Sequence, residues 1–179
     1  MKPRDLVTPD QVRGTEPTVE AAVLADKWPT VAASRGKFVF LLDQYRDQYV
    51  VGHPNLEGRV MFPASTPGQP DAAFVEFEDP RTPDAAAIPD LVKQGYLVRT
   101  RADEAVFTPQ SGDTTQRDAA FASGAQIVST DYPVPGEAAR WNGSTYVAQL
   151  PGGVVARCDA VRADKACTAK LLTEAHRKH

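Results

Sequence analysis

The stretch GYLVRTRADEAVFTPQSGDTTQRDAAFASGAQIVSTDYP, residues 95–133, reads as strand, loop, helix, strand. Tyr96 to Thr100 is a short apolar run ending in alternating charge at Arg99, Arg101 and Asp103, the pattern of a buried strand whose polar residues gather at its C-terminal end. Asp113 is placed to cap the helix that follows, Gln116 stands three residues on at capping-box spacing, and Gly124 supplies the stop. Ala125 to Thr130 is a second buried strand, and Asp131, Tyr132 and Pro133 mark its exit. Such a β-α-β unit needs parallel strands and a right-handed crossover, so charge at both C-terminal strand ends converges on one rim. Parallel α/β folds bind their ligands at that rim.

Working outward, residues 1–16 are polar and aperiodic and read as a lead-in loop. Val19, Ala22, Val23 and Leu24 follow helical spacing behind Pro17, and that helix ends before Trp28 and Pro29. Val31 to Arg35 form a further turn. Lys37 to Leu42, KFVFLL, is the clearest buried strand of the first half and ends at Asp43, the same kind of strand-end position as Arg101 and Asp131. Gln44 to Val51 make a short helix with Tyr45 and Tyr49 on one face. A loop carrying His53, a strand at Arg59 to Phe62 and a half-exposed strand at Ala72 to Phe77 follow. Glu76, Glu78 and Asp79 offer hard oxygen ligands, but their spacing lacks the glycine-bearing loop of an EF-hand, and they read as a solvated strand end. A Pro-rich connection over 80–90 leads to a short helix at Leu91 to Gln94. Beyond Pro133, Tyr146 to Leu150 and Val154 to Arg157 flank Pro151, Gly152 and Gly153 as a hairpin signal, and Ala163 to His179 have helical composition. The division is therefore a lead-in at 1–16, an α/β body at 17–133, and a C-terminal hairpin with helical tail at 134–179.

At 179 residues the chain can form one domain with a sizeable core, yet it is short for a closed (β/α)8 barrel, which takes about 250. A net charge of -3 gives no argument for a nucleic-acid partner. No run of roughly 18 apolar residues exists, and the polar start has no signal-peptide core, so either the mature chain is cytosolic or the natural start lies elsewhere. Cys158 and Cys167, nine positions apart, can close a small loop in an oxidising compartment or stand as reduced thiols.

Nucleophile elbows, phosphate loops, zinc-protease motifs and dinucleotide fingerprints are absent. What remains is the strand-end set Asp43, Arg99, Arg101, Asp103, Asp131 and Tyr132. Guanidinium groups at a rim can clamp a phosphate through paired hydrogen bonds. The competing reading is that Arg99 and Arg101 pair with Asp103 and Asp131 to satisfy charge inside a parallel fold. A period of two puts Arg99, Arg101 and Asp103 on one face.

GYLVRTRAD at 95–103, GDTTQRDAAFASGAQIVSTDYP at 112–133, KFVFLLD at 37–43 and LPGGVVARC at 150–158 together resemble the C-terminal half of the bacterial calcium-dependent phosphatidylinositol-specific phospholipase C family, over roughly residues 8–167. Glycerophosphodiester phosphodiesterases, whose barrels end in a similar T-D-Y-P strand, are the nearest competing assignment. The resemblance implies a partial TIM-type (β/α) barrel, its last four or five strands with their helices, and an extracellular enzyme that acts on a phosphatidylinositol headgroup at a membrane surface. It further implies cleavage between diacylglycerol and the headgroup by attack of the inositol 2-hydroxyl, calcium in the complete enzyme, and a Cys158–Cys167 disulfide. By position it carries over Arg101 as a headgroup or phosphate contact, with Asp43, Arg99, Asp131 and Tyr132 as further rim positions. The sequence departs from the family in having no His-Asn pair and three histidines, none at a predicted strand end. The acid-base pair and the calcium ligands are therefore expected in a missing N-terminal half-barrel, with this chain inactive alone. A non-catalytic module for anionic headgroups is the alternative.

Overall fold

Thr8 opens the first helix of the computed structural model, which describes residues 2–168 and 172. Its hydroxyl accepts the Gln11 N–H, Pro9 occupies the first turn, and Gly14 at φ 53 closes α1, Pro9–Arg13. Residues 1–16 are thus not a lead-in loop. Val7 and Val12 are buried, and Val7 N–H donates to the Phe38 carbonyl at 2.9 Å. The Thr-Pro start signal and two buried valines outweigh the polar composition.

The chain divides into two units, residues 1–76 with 93–97, and residues 77–92 with 98–179. The first contains α2, Val19–Leu24, capped by the Thr18 hydroxyl; α3, Val31–Ser34; β1, Phe40–Leu42; α4, Arg46–Val50; β2, Met61–Pro63; and most of β3, Phe74–Phe77. The pairing runs in chain order and parallel. Leu6 bridges Phe38, β1 pairs β2 with Phe40 opposite Met61 and Leu42 opposite Pro63, and Ala64 bridges Phe74. Its core gathers Val12, Val19, Val23, Leu56 and Phe62, with the Trp28 ring 5.1 Å from Phe62 and the indole N–H donating to the Gly95 carbonyl. Buried Asp71 receives Arg46 through Nε at 2.9 Å and Nη2 at 2.5 Å, the forked geometry that a buried carboxylate needs.

In the second unit β4, Leu97–Arg101, pairs in parallel with β5, Ile127–Ser129, placing Arg99 opposite Ile127 and Arg101 opposite Ser129. Before β4 stands α5, Ile88–Gln94; between the strands lie α6, Phe107–Ser111, and α7, Thr115–Ala122. Asp113 does support the start of α7, accepting the Thr115 N–H at 2.8 Å, although Thr114 is the cap position. Helix α6 had no counterpart in the sequence reading. A core of Ala102, Tyr132, Ala138, Tyr146 and Ala148 holds the segment after β5, with the two tyrosine rings edge to face at 5.8 Å.

The mixed α/β class expected from sequence is present, in two small sheets of two and three strands with no closed barrel among the described residues. No hairpin forms around Pro151. Ala148 N–H goes to the Tyr132 carbonyl and the Gln149 amide to the Pro133 carbonyl, so this segment bonds the exit of β5 rather than residues 154–157, while Pro151–Gly153 make a 3-10 turn. The strand KFVFLL is not buried: Phe38 is 55% and Phe40 37% exposed, Val39 is also exposed, and Leu41 and Leu42 are only half-buried. The proposed tail helix, with His176 and His179, lies mostly outside the described residues. Cys158 and Cys167 form a disulfide with Cα atoms 6.0 Å apart. No helix among the described residues is long and apolar enough to cross a membrane.

Candidate functional site

The alternation of β4 sets the site. Val98 and Thr100 point into the buried side, and Arg99 and Arg101 to the other, half-buried one. Glu78, one residue past β3, meets both arginines. Its Oε2 lies 3.1 Å from Arg101 Nη1 and its Oε1 3.7 Å from Arg99 Nη1. Asp131, two residues past β5, lies 3.7 Å from Arg101 Nη2. Arg99 Nε also donates to Ser129 Oγ at 3.1 Å. Burial pulls the Arg101 guanidinium pKa down, but the Glu78 bond and the charges of Glu78, Asp131 and Asp103 offset that and leave it raised.

Asp103 does not join the arginines on their face. It is fully buried and accepts bonds from the Thr130 hydroxyl, the Asp131 N–H at 3.0 Å and the Tyr146 hydroxyl at 3.3 Å. One carboxylate thus ties the end of β4 to the end of β5, and the period of two stops where the strand ends at Arg101 and the chain bends at Ala102. Burial first, then the Asp103 charge, raises the Tyr146 pKa. Tyr132, expected at the rim, is fully buried instead. Its hydroxyl donates to the Ala105 carbonyl and accepts the Trp141 indole N–H at 2.7 Å, a structural position with no face left for a headgroup.

Gln116 is a residue the sequence reading placed only as a capping-box member. It is buried, and its amide donates to the carbonyls of Arg101 and Glu78 at 3.4 and 3.5 Å while accepting Arg81 Nη2 at 3.1 Å. Arg81 forks onto Asp79 and holds that carboxyl below the usual aspartate range, chiefly through their hydrogen bonds. Glu78, Asp79, Arg101, Asp103, Phe107 and Gln116 line a cavity of about 420 Å³.

In the first unit Asp43 follows β1 directly. Its carboxylate and that of Glu76 have oxygens within 4.8 Å of one another. From sequence, no metal ligand is expected in this chain. The spacing of Glu76, Glu78 and Asp79 in sequence does not point to Asp43, because the juxtaposition of Glu76 with Asp43 depends on strands far apart in sequence. Asp79 is engaged by Arg81, which removes it from that acidic run.

No curated protein and no solved structure matches the chain. Residues 1–160 match the model of the family described as phosphoinositide phospholipase C, Ca2+-dependent. With that match covering most of the 179 residues, the chain belongs to the Ca2+-dependent phosphoinositide phospholipase C family.

Proposed function

We propose that this chain is the C-terminal part of a (β/α)-barrel phospholipase C, presenting the headgroup-facing rim of an extracellular enzyme that acts on phosphatidylinositol at a membrane surface. In the complete enzyme the inositol 2-hydroxyl attacks phosphorus, the bond from phosphorus to the glycerol oxygen breaks, and diacylglycerol leaves with a proton. The observation that carries the reading is Arg101 at the C-terminal end of β4, beside Asp131 past the end of the parallel strand β5, within a chain of this family. Arg101 receives the phosphoryl group with Arg99 beside it, and Asp131 faces the ring hydroxyls. Asp43 and Glu76 would hold a calcium ion, supplying two of the about six to eight oxygens it takes. An ion held by these two carboxylates would supply positive charge for an anionic oxygen.

Acid-base catalysis needs two proton carriers within hydrogen-bond reach of the reacting oxygens. His53, whose Nδ1 lies 2.7 Å from the Glu57 carbonyl in a loop, is not such a pair. A complementary N-terminal half-barrel supplies it, and the isolated chain is inactive. The test incubates the purified chain with calcium and phosphatidylinositol vesicles. We expect no released inositol phosphate, and vesicle binding that falls about tenfold or more in Arg101→Ala, the size of a charge-assisted contact. Robust turnover would place the proton carriers in this chain, and binding indifferent to Arg101→Ala would remove that residue from the site.

A further inference from the structure

We propose that the Glu78 carboxylate is a built-in competitor for the anion that Arg99 and Arg101 receive, so that a phosphoryl group binds by taking the place of Glu78. The inference rests on the headgroup reading above. Both guanidinium groups converge on this one side chain, at 3.7 and 3.1 Å through its two separate oxygens. A carboxylate and a phosphoryl group offer a guanidinium the same paired-oxygen face, and the phosphoryl group adds charge and further acceptors.

The geometry makes the carboxylate the displaceable partner. The Glu78 side chain is 58% exposed, against 16% for Arg99 and 31% for Arg101. Glu78 can swing into solvent, whereas the arginines are held. Arg99 is fixed through Nε to Ser129 Oγ, and the Arg101 backbone through its carbonyl to the Gln116 amide. Arg101 Nη2 stands 3.7 Å from Asp131, longer than a hydrogen bond, so this donor is the first a closer acceptor would meet. The charges close in the same way. Departure of Glu78 removes one negative charge from beside both guanidinium groups and leaves room for the arriving anion.

Glu78→Gln keeps the side-chain shape and removes its charge. The full chain, in EDTA so that no divalent cation competes, is titrated by NMR with inorganic phosphate and with myo-inositol 1-phosphate, and by sedimentation with phosphatidylinositol in phosphatidylcholine vesicles. We expect Glu78→Gln to bind both soluble probes roughly two- to fivefold more tightly, the span of a partly exposed ion pair, with a smaller gain, on inorganic phosphate alone, for Asp131→Asn. The same gain on vesicles assigns the site to the lipid headgroup, and a gain confined to the soluble probes assigns it to free phosphate esters. Glu78→Ala repeats the measurement should the glutamine variant unfold. Unchanged or weaker binding in both Glu78 variants, while Arg101→Ala abolishes wild-type binding, overturns the competitor and leaves the headgroup reading standing. Absence of binding by wild type and both variants overturns both.

Discussion

Replacing Asp103 with asparagine tests whether the ends of β4 and β5 are held by charge. The buried carboxylate accepts three hydrogen bonds, from the Thr130 hydroxyl, the Asp131 N–H and the Tyr146 hydroxyl. Asparagine keeps one oxygen and turns the other acceptor into a donor, so either the Asp131 N–H or the Thr130 hydroxyl faces an N–H, while the Tyr146 hydroxyl keeps the Ala102 carbonyl at 3.0 Å. A hydrogen bond to a charged group is worth about 1.5–3 kcal/mol, and a donor left buried without a partner costs about as much again as its desolvation. With Thr130 free to rotate its hydroxyl toward another acceptor, we expect a loss of about 2–4 kcal/mol. For a chain of this length about 1 kcal/mol corresponds to roughly 2–4 °C, so the melting temperature falls by roughly 4–16 °C. Thermal unfolding followed by circular dichroism gives that shift. Amide exchange at Asp131 locates it, because this N–H bonds directly to the altered group. A variant that melts within about 2 °C of wild type, with Asp131 equally protected, would show that Asp103 is not what joins the two strand ends.

Two other perturbations test contacts elsewhere in the chain. Gly124 sits at φ 84, and a methyl group there would lie 2.6 Å from Val161 Cγ2 inside the disulfide loop. Gly124→Ala should cost about 1–3 kcal/mol by overpacking and loosen residues 158–167, read as a lower urea midpoint with faster reduction of the disulfide; an unchanged midpoint refutes the contact. Arg81 holds Asp79 ionised below the usual aspartate range, so the contribution of Asp79 to stability is complete above its unfolded pKa and is lost as pH falls through the lower folded value. Arg81→Gln should return Asp79 to the ordinary range in an NMR titration and remove that acid-side loss. A carboxyl that still titrates low would refute the pairing.

Local signals carried much of the fold. The strands near Phe40–Leu42, Met61–Pro63, Leu97–Arg101 and Ile127–Ser129, and the helices behind Pro17 and Asp113, lie near where apolar runs and start signals put them. The failures fall where the outcome depends on a distant partner. Residues 146–150 have hairpin chemistry, but the β5 exit offered its carbonyls first. Tyr132 looks like a rim residue in the T-D-Y-P run, and only the packing of Trp141 and Tyr146 around it shows that it is core. Arg99, Arg101 and Asp131 were legible as strand-end charges. Glu78 as their shared partner was not, since its role requires the register that brings β3's exit to theirs.

The chain has two tryptophans, Trp28 in the first unit and Trp141 in the second, each with its indole N–H donating to a fixed oxygen. Each unit therefore carries a single tryptophan emitter, which excitation at the red edge of the absorption band separates from the tyrosines. Removing one indole leaves a fluorescence signal that reports the unfolding of the other unit alone. Coincident or separate transitions in the two single-tryptophan chains would then reveal whether the units melt as one cooperative body.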